Sequence, residues 1–271
     1  TSVLIVEDDR DFASVLTGIA HEKNYLCLAA GEGKSALQMA KRYQPSAILL
    51  DLGLPDIDGL KLLDMFKQDL STRHIPIHVI TGREVLAETL TRGAVGFLHK
   101  PTSAEELNNV FSTFDRYLTS KEKTLLIIED DDPYRNSLKG LLEHKDVQIT
   151  EAINGEEGIQ LINEREFDCV ILDMGLPDMT GSELLKHLSD NKTKPLPPII
   201  VNTGRDLTES EYNELNKYTE DIIVKGTDSS ARLLDEVTLF LHQAEANLPS
   251  EQRKTLQMLH DDNAALEGHT V

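Results

Sequence analysis

The sequence predicts an α/β protein of two successive doubly wound parallel sheets, followed by a helical extension at the C-terminus. Three observations carry that prediction. The string ILLDLGLPDIDG at 48–59 returns almost unchanged as VILDMGLPDMTG at 170–181, 122 positions later, and such self-similarity marks a duplicated unit. Short runs are apolar at every position instead of at alternate ones, which suits strands buried on both faces of a helix-covered parallel sheet. Between the runs, apolar residues recur at helical spacing.

In chain order, VLIV at 3–6 reads as the first strand, and Phe12, Val15, Leu16 and Ile19 give the next segment one apolar helical face. AILL at 47–50 is a strand followed by a helix with its stripe at Leu60, Leu63 and Phe66. IHVI at 77–80 and GFL at 96–98 complete the first half. The short polar stretch LTSKEKT at 118–124 separates the halves, with the boundary near Ser120. LLII at 125–128, CVIL at 169–172, PIIV at 198–201 and IIV at 222–224 then repeat the series. SSARLLDEVTLFLHQAEA at 229–246 has a helical stripe, and Pro249 with Ser250 starts a further helix that runs out towards Val271. The expected domains are therefore 1–120 and 121–246, with a helical linker over 247–271.

The 271 residues suffice for two domains, and 39% hydrophobic with 27% charged residues is a globular balance. No stretch approaches the roughly 20 apolar residues that span a bilayer, and no signal peptide is recognisable, so a cytoplasmic location is expected. Cys27 and Cys169 lie inside apolar runs and read as core residues, neither a disulfide pair nor metal ligands. A net charge of −20 argues against binding nucleic acid or an anionic membrane. Residues 1–122 hold 17 acidic and 13 basic side chains, a net of −4, so the rest of the chain carries −16.

In an open parallel sheet the ligand site lies outside the carboxyl ends of the strands. Those ends carry Glu7, Asp8 and Asp9, then Asp51, then Thr81 with Gly82, then Lys100 with Pro101. The second half repeats them as Glu129, Asp130 and Asp131, then Asp173, then Thr203 with Gly204, then Lys225 with Gly226. Carboxylates that converge need a counter-charge, because like charges raise one another's pKa. An all-oxygen cluster of this kind suits Mg2+. With a lysine and a hydroxyl nearby, it makes a pocket for a tetrahedral dianion.

This order of acidic pair, lone Asp before GLPxxxG, Thr before a small residue, and Lys resembles the receiver domain of two-component response regulators. The resemblance covers nearly the whole chain, twice. It implies the flavodoxin-like fold, two five-stranded sheets of order 2-1-3-4-5. It implies that Asp51 and Asp173 accept a phosphoryl group from a phosphohistidine, on a kinase or a phosphotransfer domain. Asp8 and Asp130 would bind Mg2+, Glu7 and Glu129 would hold its waters, and the carbonyls of Gly53 and Gly175 would complete the protein ligands beside Asp51 and Asp173. Thr81 and Thr203 would hydrogen-bond the phosphoryl group, and Lys100 and Lys225 would pair with it.

The second half departs from the family pattern where Ile222 and Gly226 replace the aromatic and proline found at Phe97 and Pro101. A cis Lys100–Pro101 bond and a trans Lys225–Gly226 bond are expected. Arg83 and Arg205 follow the Thr-Gly pairs, and read first as solvated surface arginines and, more sharply, as shields of an aspartyl phosphate. GEGKS at 31–35 lacks the leading glycine of a P-loop, and Gly53 and Gly175 stand where a haloacid-dehalogenase phosphatase needs its second Asp. His21, in AHEKN at 20–24, reads as a helix-end residue and not a phosphorylated histidine.

The chain begins without Met, and its tail LEGHTV resembles the lead into a third receiver. It therefore resembles the multi-receiver region of a large hybrid sensor histidine kinase, whose parent chain could be membrane-anchored. The alternatives are a response regulator separated from its output domain, or a docking module whose second receiver is not phosphorylated. Receivers of this family also pair through the face formed here around residues 84–116, so a homodimer is a further expectation.

Overall fold

The computed structural model describes residues 1–82, 89–90, 92–119, 122–190, 196–205, 207–215, 218–219, 221–226, 228–243 and 247–267, with Ser210 and 261–267 described by backbone alone. The chain divides into two compact units, Thr1–Lys121 and Glu122–Val271. The first runs β1 (Ser2–Val6), α1 (Arg10–Glu22), β2 (Leu26–Ala30), α2 (Gly33–Tyr43), β3 (Ala47–Leu50), α3 (Gly59–Gln68), β4 (Ile77–Thr81), β5 (Gly96–His99) and α4 (Ala104–Thr119). The second runs β6 (Lys123–Ile128), α5 (Asp132–Leu142), β7 (Val147–Ala152), α6 (Gly155–Glu164), β8 (Cys169–Leu172), α7 (Gly181–Asp190), β9 (Ile199–Thr203), α8 (Glu209–Leu215), β10 (Asp221–Val224), α9 (Ser229–Phe240) and α10 (Ser250–Glu267). Both sheets are parallel, in the orders β2-β1-β3-β4-β5 and β7-β6-β8-β9-β10. This is the predicted flavodoxin-like topology, present twice.

Alternating side chains divide each central strand between two apolar layers. Val3 and Ile5 face Leu16, Phe111 and Phe114 of α1 and α4, whereas Leu4 and Val6 face Leu62, Leu63 and Phe66 of α3. Leu125 and Ile127 likewise face α5 and α9, and Leu126 and Ile128 face Leu184 and Leu185 of α7. Both sides of these strands are covered, which is why their sequences are apolar at every position.

Register then places the polar strand ends together. Val6 pairs with Leu50, so Glu7 and Asp51 follow neighbouring strands at the same level. Thr81 pairs with His99, which puts Lys100 directly after Thr81's neighbour. In the second unit Ile128 pairs with Leu172 and Val224 with Thr203, which does the same for Glu129, Asp173 and Lys225. The Lys100–Pro101 bond is cis and the Lys225–Gly226 bond is not.

The C-terminal helix is packed on the second unit. Leu248 and Leu256 join the apolar layer formed by α5 and α9, and Gln252 Nε2 donates to the carbonyls of Leu141 (2.8 Å) and Glu143 (3.3 Å) at the end of α5. Among the described residues, no helix is long and apolar enough to cross a membrane.

Candidate functional site

In the first unit, Glu7, Asp8 and Asp51 each offer an oxygen within 4.8 Å of the others. Glu7 and Asp51 are buried and Asp8 is exposed, so the cluster opens to solvent on the Asp8 side. Lys100 Nζ donates to Glu7 Oε2 at 2.7 Å and pairs with Asp51 Oδ2 at 3.2 Å. Burial pushes the Glu7 carboxyl above its ordinary pKa, with the hydrogen bond from Lys100 opposing and the Asp51 charge reinforcing the rise. Burial would lower the Lys100 pKa, but the Glu7 hydrogen bond and the Asp51 charge outweigh it and hold the group above its usual value. Thr81, 1% exposed, ends the adjacent strand. A Cβ at Gly53 would lie 3.2 Å from Asp51 Oδ2, so glycine leaves room beside the carboxylate.

The second unit repeats the arrangement with Glu129, Asp130 and Asp173, again within 4.8 Å. Lys225 Nζ lies 2.8 Å from both Glu129 Oε2 and Asp173 Oδ1. Burial raises the Glu129 pKa, while the two carboxylates hold Lys225 above its ordinary value despite its own burial. Gly175 N donates to Asp173 Oδ2 at 2.6 Å, and Thr203 Oγ1 accepts from Arg205 N at 3.3 Å. The Glu, Asp, Asp and Lys singled out at the strand ends therefore come together in their own unit, and Thr81 and Thr203 end the strand that lies between those of the Asp and the Lys. The Arg205 guanidinium pairs with Glu211 at 2.9 Å, a half-exposed ion pair in keeping with the surface reading. Arg83, and part of the 84–116 face, lie outside the described residues.

Two pairs of residues escaped the sequence reading. The lysine ammonium lies 4.6 Å from the centre of the Phe12 ring in the first unit and 4.1 Å from that of Tyr134 in the second. Asp56 accepts from the N–H groups of Gly33 (2.7 Å) and Lys34 (3.0 Å), and Asp178 from those of Gly155 and Glu156 (2.8 Å each). The repeated Asp after LeuPro thus caps the N-terminus of α2 or α6, and these N–H bonds hold its own pKa down. The glycine loop of GEGKS is therefore occupied by a carboxylate of the chain itself. Asp9 has a similar duty, accepting from Asp11 N and Phe12 N as the cap of α1. The signal for all of these was the 122-residue repeat itself, at Phe12 and Tyr134 and at Asp56 and Asp178.

Chemically, each cluster is three carboxylates against one ammonium, a site short of two positive charges. Its hard oxygen donors and open side fit a small divalent cation such as Mg2+. A rigid strand end presents an aspartate next to that site, with a buried threonine ending the neighbouring strand and a lysine following the strand beyond it.

Comparison with known proteins agrees with this geometry. The family described as the response regulator receiver domain matches residues 3–112 and again 125–238. The chain belongs to that family, and its two units are receiver domains of two-component signalling. The transcriptional regulatory protein SrrA of Staphylococcus aureus is 34% identical over 101 residues, covering 37% of this chain and 41% of SrrA. The chain thus spans about two fifths of the length of the curated relatives it matches. Among solved structures, a signal receiver domain from Vibrio parahaemolyticus is 32% identical, with 42% of this chain and 90% of that one covered at a TM-score of 0.39. A two-component system response regulator/GGDEF domain protein is 19% identical and covers 90% of this chain and 99% of its own at a TM-score of 0.40.

Proposed function

We propose that this chain is a tandem phosphoacceptor, taking phosphoryl groups from a phosphohistidine onto Asp51 in domain 1–120 and Asp173 in domain 121–246. The observation that carries the reading is the lysine ammonium between a buried Glu and a buried Asp at neighbouring strand ends, in both units. A carboxylate oxygen of Asp51 attacks phosphorus, the bond from phosphorus to the imidazole nitrogen breaks, and its electron pair stays on that nitrogen, which then takes a proton. Lys100 and Thr81 bind the oxygens of the transferred group, as Lys225 and Thr203 do beside Asp173. Glu7, Asp8, Asp51 and the Gly53 carbonyl would hold Mg2+, as would Glu129, Asp130, Asp173 and the Gly175 carbonyl. When bound, the ion neutralises charge on the phosphoryl oxygens. The donor is a histidine kinase or a phosphotransfer domain, and the parent is a hybrid kinase or a response regulator.

The test is intact mass after incubation with a small acyl phosphate and Mg2+, for wild type, Asp51→Asn and Asp173→Asn. Two phosphoryl groups are expected, each lost with its own aspartate and both lost without Mg2+. Absence of any Mg2+-dependent labelling would overturn the reading. A second reading has a specific observation behind it. Ile222 is buried in the apolar layer where Phe97 lies half-buried in the first unit, so the second unit lacks that aromatic side chain for switching. On this reading the second unit docks without being phosphorylated, and Asp51→Asn would remove all labelling.

A further inference from the structure

The two lysines sit in different surroundings. Below Lys225, Tyr134 stands where the first unit has Phe12, and Asn202 stands where it has Ile80. Ile80 is part of the apolar layer under α1 and α4, the ordinary content of that position. Asn202 is 1% exposed on β9, next to Thr203. Its Nδ2 donates to the Tyr134 hydroxyl at 2.8 Å, and its Oδ1 has no hydrogen-bond partner. Exchanging the amide nitrogen and oxygen would still leave one of the two atoms without a partner. A buried amide in an apolar layer is unfavourable unless bonded, so the contact to Tyr134 is what this asparagine supplies.

Tyr134 is held from its backbone side as well. Its N–H donates to Asp131 Oδ1 at 2.7 Å, and the adjacent Arg135 is buried, with Nη1 donating to the Glu129 carbonyl at 2.7 Å and Nε to Glu151 at 3.1 Å. With both its helix position and its hydroxyl fixed, the ring presents its face to Lys225 Nζ at 4.1 Å. The same ammonium makes the two 2.8 Å contacts to the carboxylates of Glu129 and Asp173. A cation held over an aromatic face and paired with carboxylates has little freedom to leave.

We propose that Tyr134, anchored through its hydroxyl by Asn202, is a positioning residue that holds the Lys225 ammonium against Asp173. The consequence for phosphoryl transfer rests on the phosphoacceptor reading; the position of the lysine does not. Two measurements on the full chain separate them. The first is the rate of Mg2+-dependent phosphorylation of Asp173 by an acyl phosphate in an Asp51→Asn background. The second is the upfield ring-current shift of the Lys225 ε-protons by NMR, assigned from the spectrum of Lys225→Met.

Tyr134→Leu is expected to slow phosphorylation about tenfold and abolish the upfield shift. Tyr134→Phe should keep most of the shift, with a loss in rate of about threefold or less, and Asn202→Ile should match it. A residue that only filled space would tolerate the apolar Tyr134→Leu replacement with little change in rate. If Asp173 takes no phosphoryl group in the Asp51→Asn chain, the phosphoacceptor reading of the second unit fails, and the NMR shift alone decides the positioning role. An unchanged Lys225 shift in a folded Tyr134→Leu chain would overturn the proposal.

Discussion

His78 shows how burial changes the chemistry of one residue. It lies 6% exposed on β4, edge-on to Phe114 with ring centres 6.3 Å apart, and a Cβ at Gly96 would approach its Nε2 to 2.7 Å. Burial lowers its pKa to about 4, against which the bond of Nδ1 to the Val79 carbonyl works weakly. Because the folded pKa is below the unfolded value, the neutral ring favours the folded state. That contribution is fully present above pH 6.5 and is lost as pH falls from 6.5 through about 4. It amounts to about 3 kcal/mol at most. In urea titrations of the first unit, His78→Leu should therefore lose less stability between pH 7 and about 4 than wild type does; equal losses would show that His78 does not titrate on unfolding. The residues of the site were more legible in the sequence than this histidine. Carboxylates, threonines and lysines ending apolar runs stand out because nothing in a buried strand calls for them. Phe12 did not stand out, because a helical apolar stripe accounts for it equally well, and only the fold brings its ring to Lys100.

Among the elements, the strands divide by how much of their chemistry is local. β1, β3 and β4 are buried almost throughout, so the sequence pattern alone reveals them, whereas β2 at the sheet edge is apolar in sequence, LCLAA, but has Leu26 and Ala29 exposed, and its counterpart β7, VQITEA, is interrupted by polar residues. The place of these two edge strands in the sheets was expected from the family resemblance. α10 was legible as a helix, from Pro249 and Ser250, but its docking was not. Its contact stripe is short, Gln252 and Leu256, and its polar member acts by capping α5 carbonyls 111 and 109 residues away in sequence. The buried Leu234 and Leu241 that face this layer read in the sequence only as part of a helix. Leu256 is 1% exposed, so Leu256→Ala should cost about 2 to 4 kcal/mol by lost burial and a residual cavity. In differential scanning calorimetry the loss should appear in the transition of the second unit and leave that of the first in place. An unshifted second transition would mean that α10 does not stay docked in solution.

For the whole molecule, each unit has its own apolar layers and its own pocket, but the charge is shared unequally. Thr1–Lys121 holds 16 acidic and 13 basic residues, a net of −3, and Glu122–Val271 holds 31 and 14, a net of −17. Like charges crowded on one compact unit repel, and unfolding spreads them out, so the second unit carries a penalty that the first scarcely has. Salt shortens the reach of that repulsion, with a Debye length of about 10 Å at 0.1 M. Screening also weakens attractive surface pairs such as Arg205 with Glu211, but such exposed pairs contribute at most about 1 kcal/mol. The half-buried contacts of Lys225 with Glu129 and Asp173 are screened less. Raising NaCl from about 0.05 to about 0.5 M should therefore raise the Tm of the second transition more than that of the first. Transitions assigned from the separate halves 1–121 and 122–271 make the comparison direct. Equal shifts would place the excess acidic residues far enough apart that they do not oppose folding, leaving the charge to act on approaching partners alone.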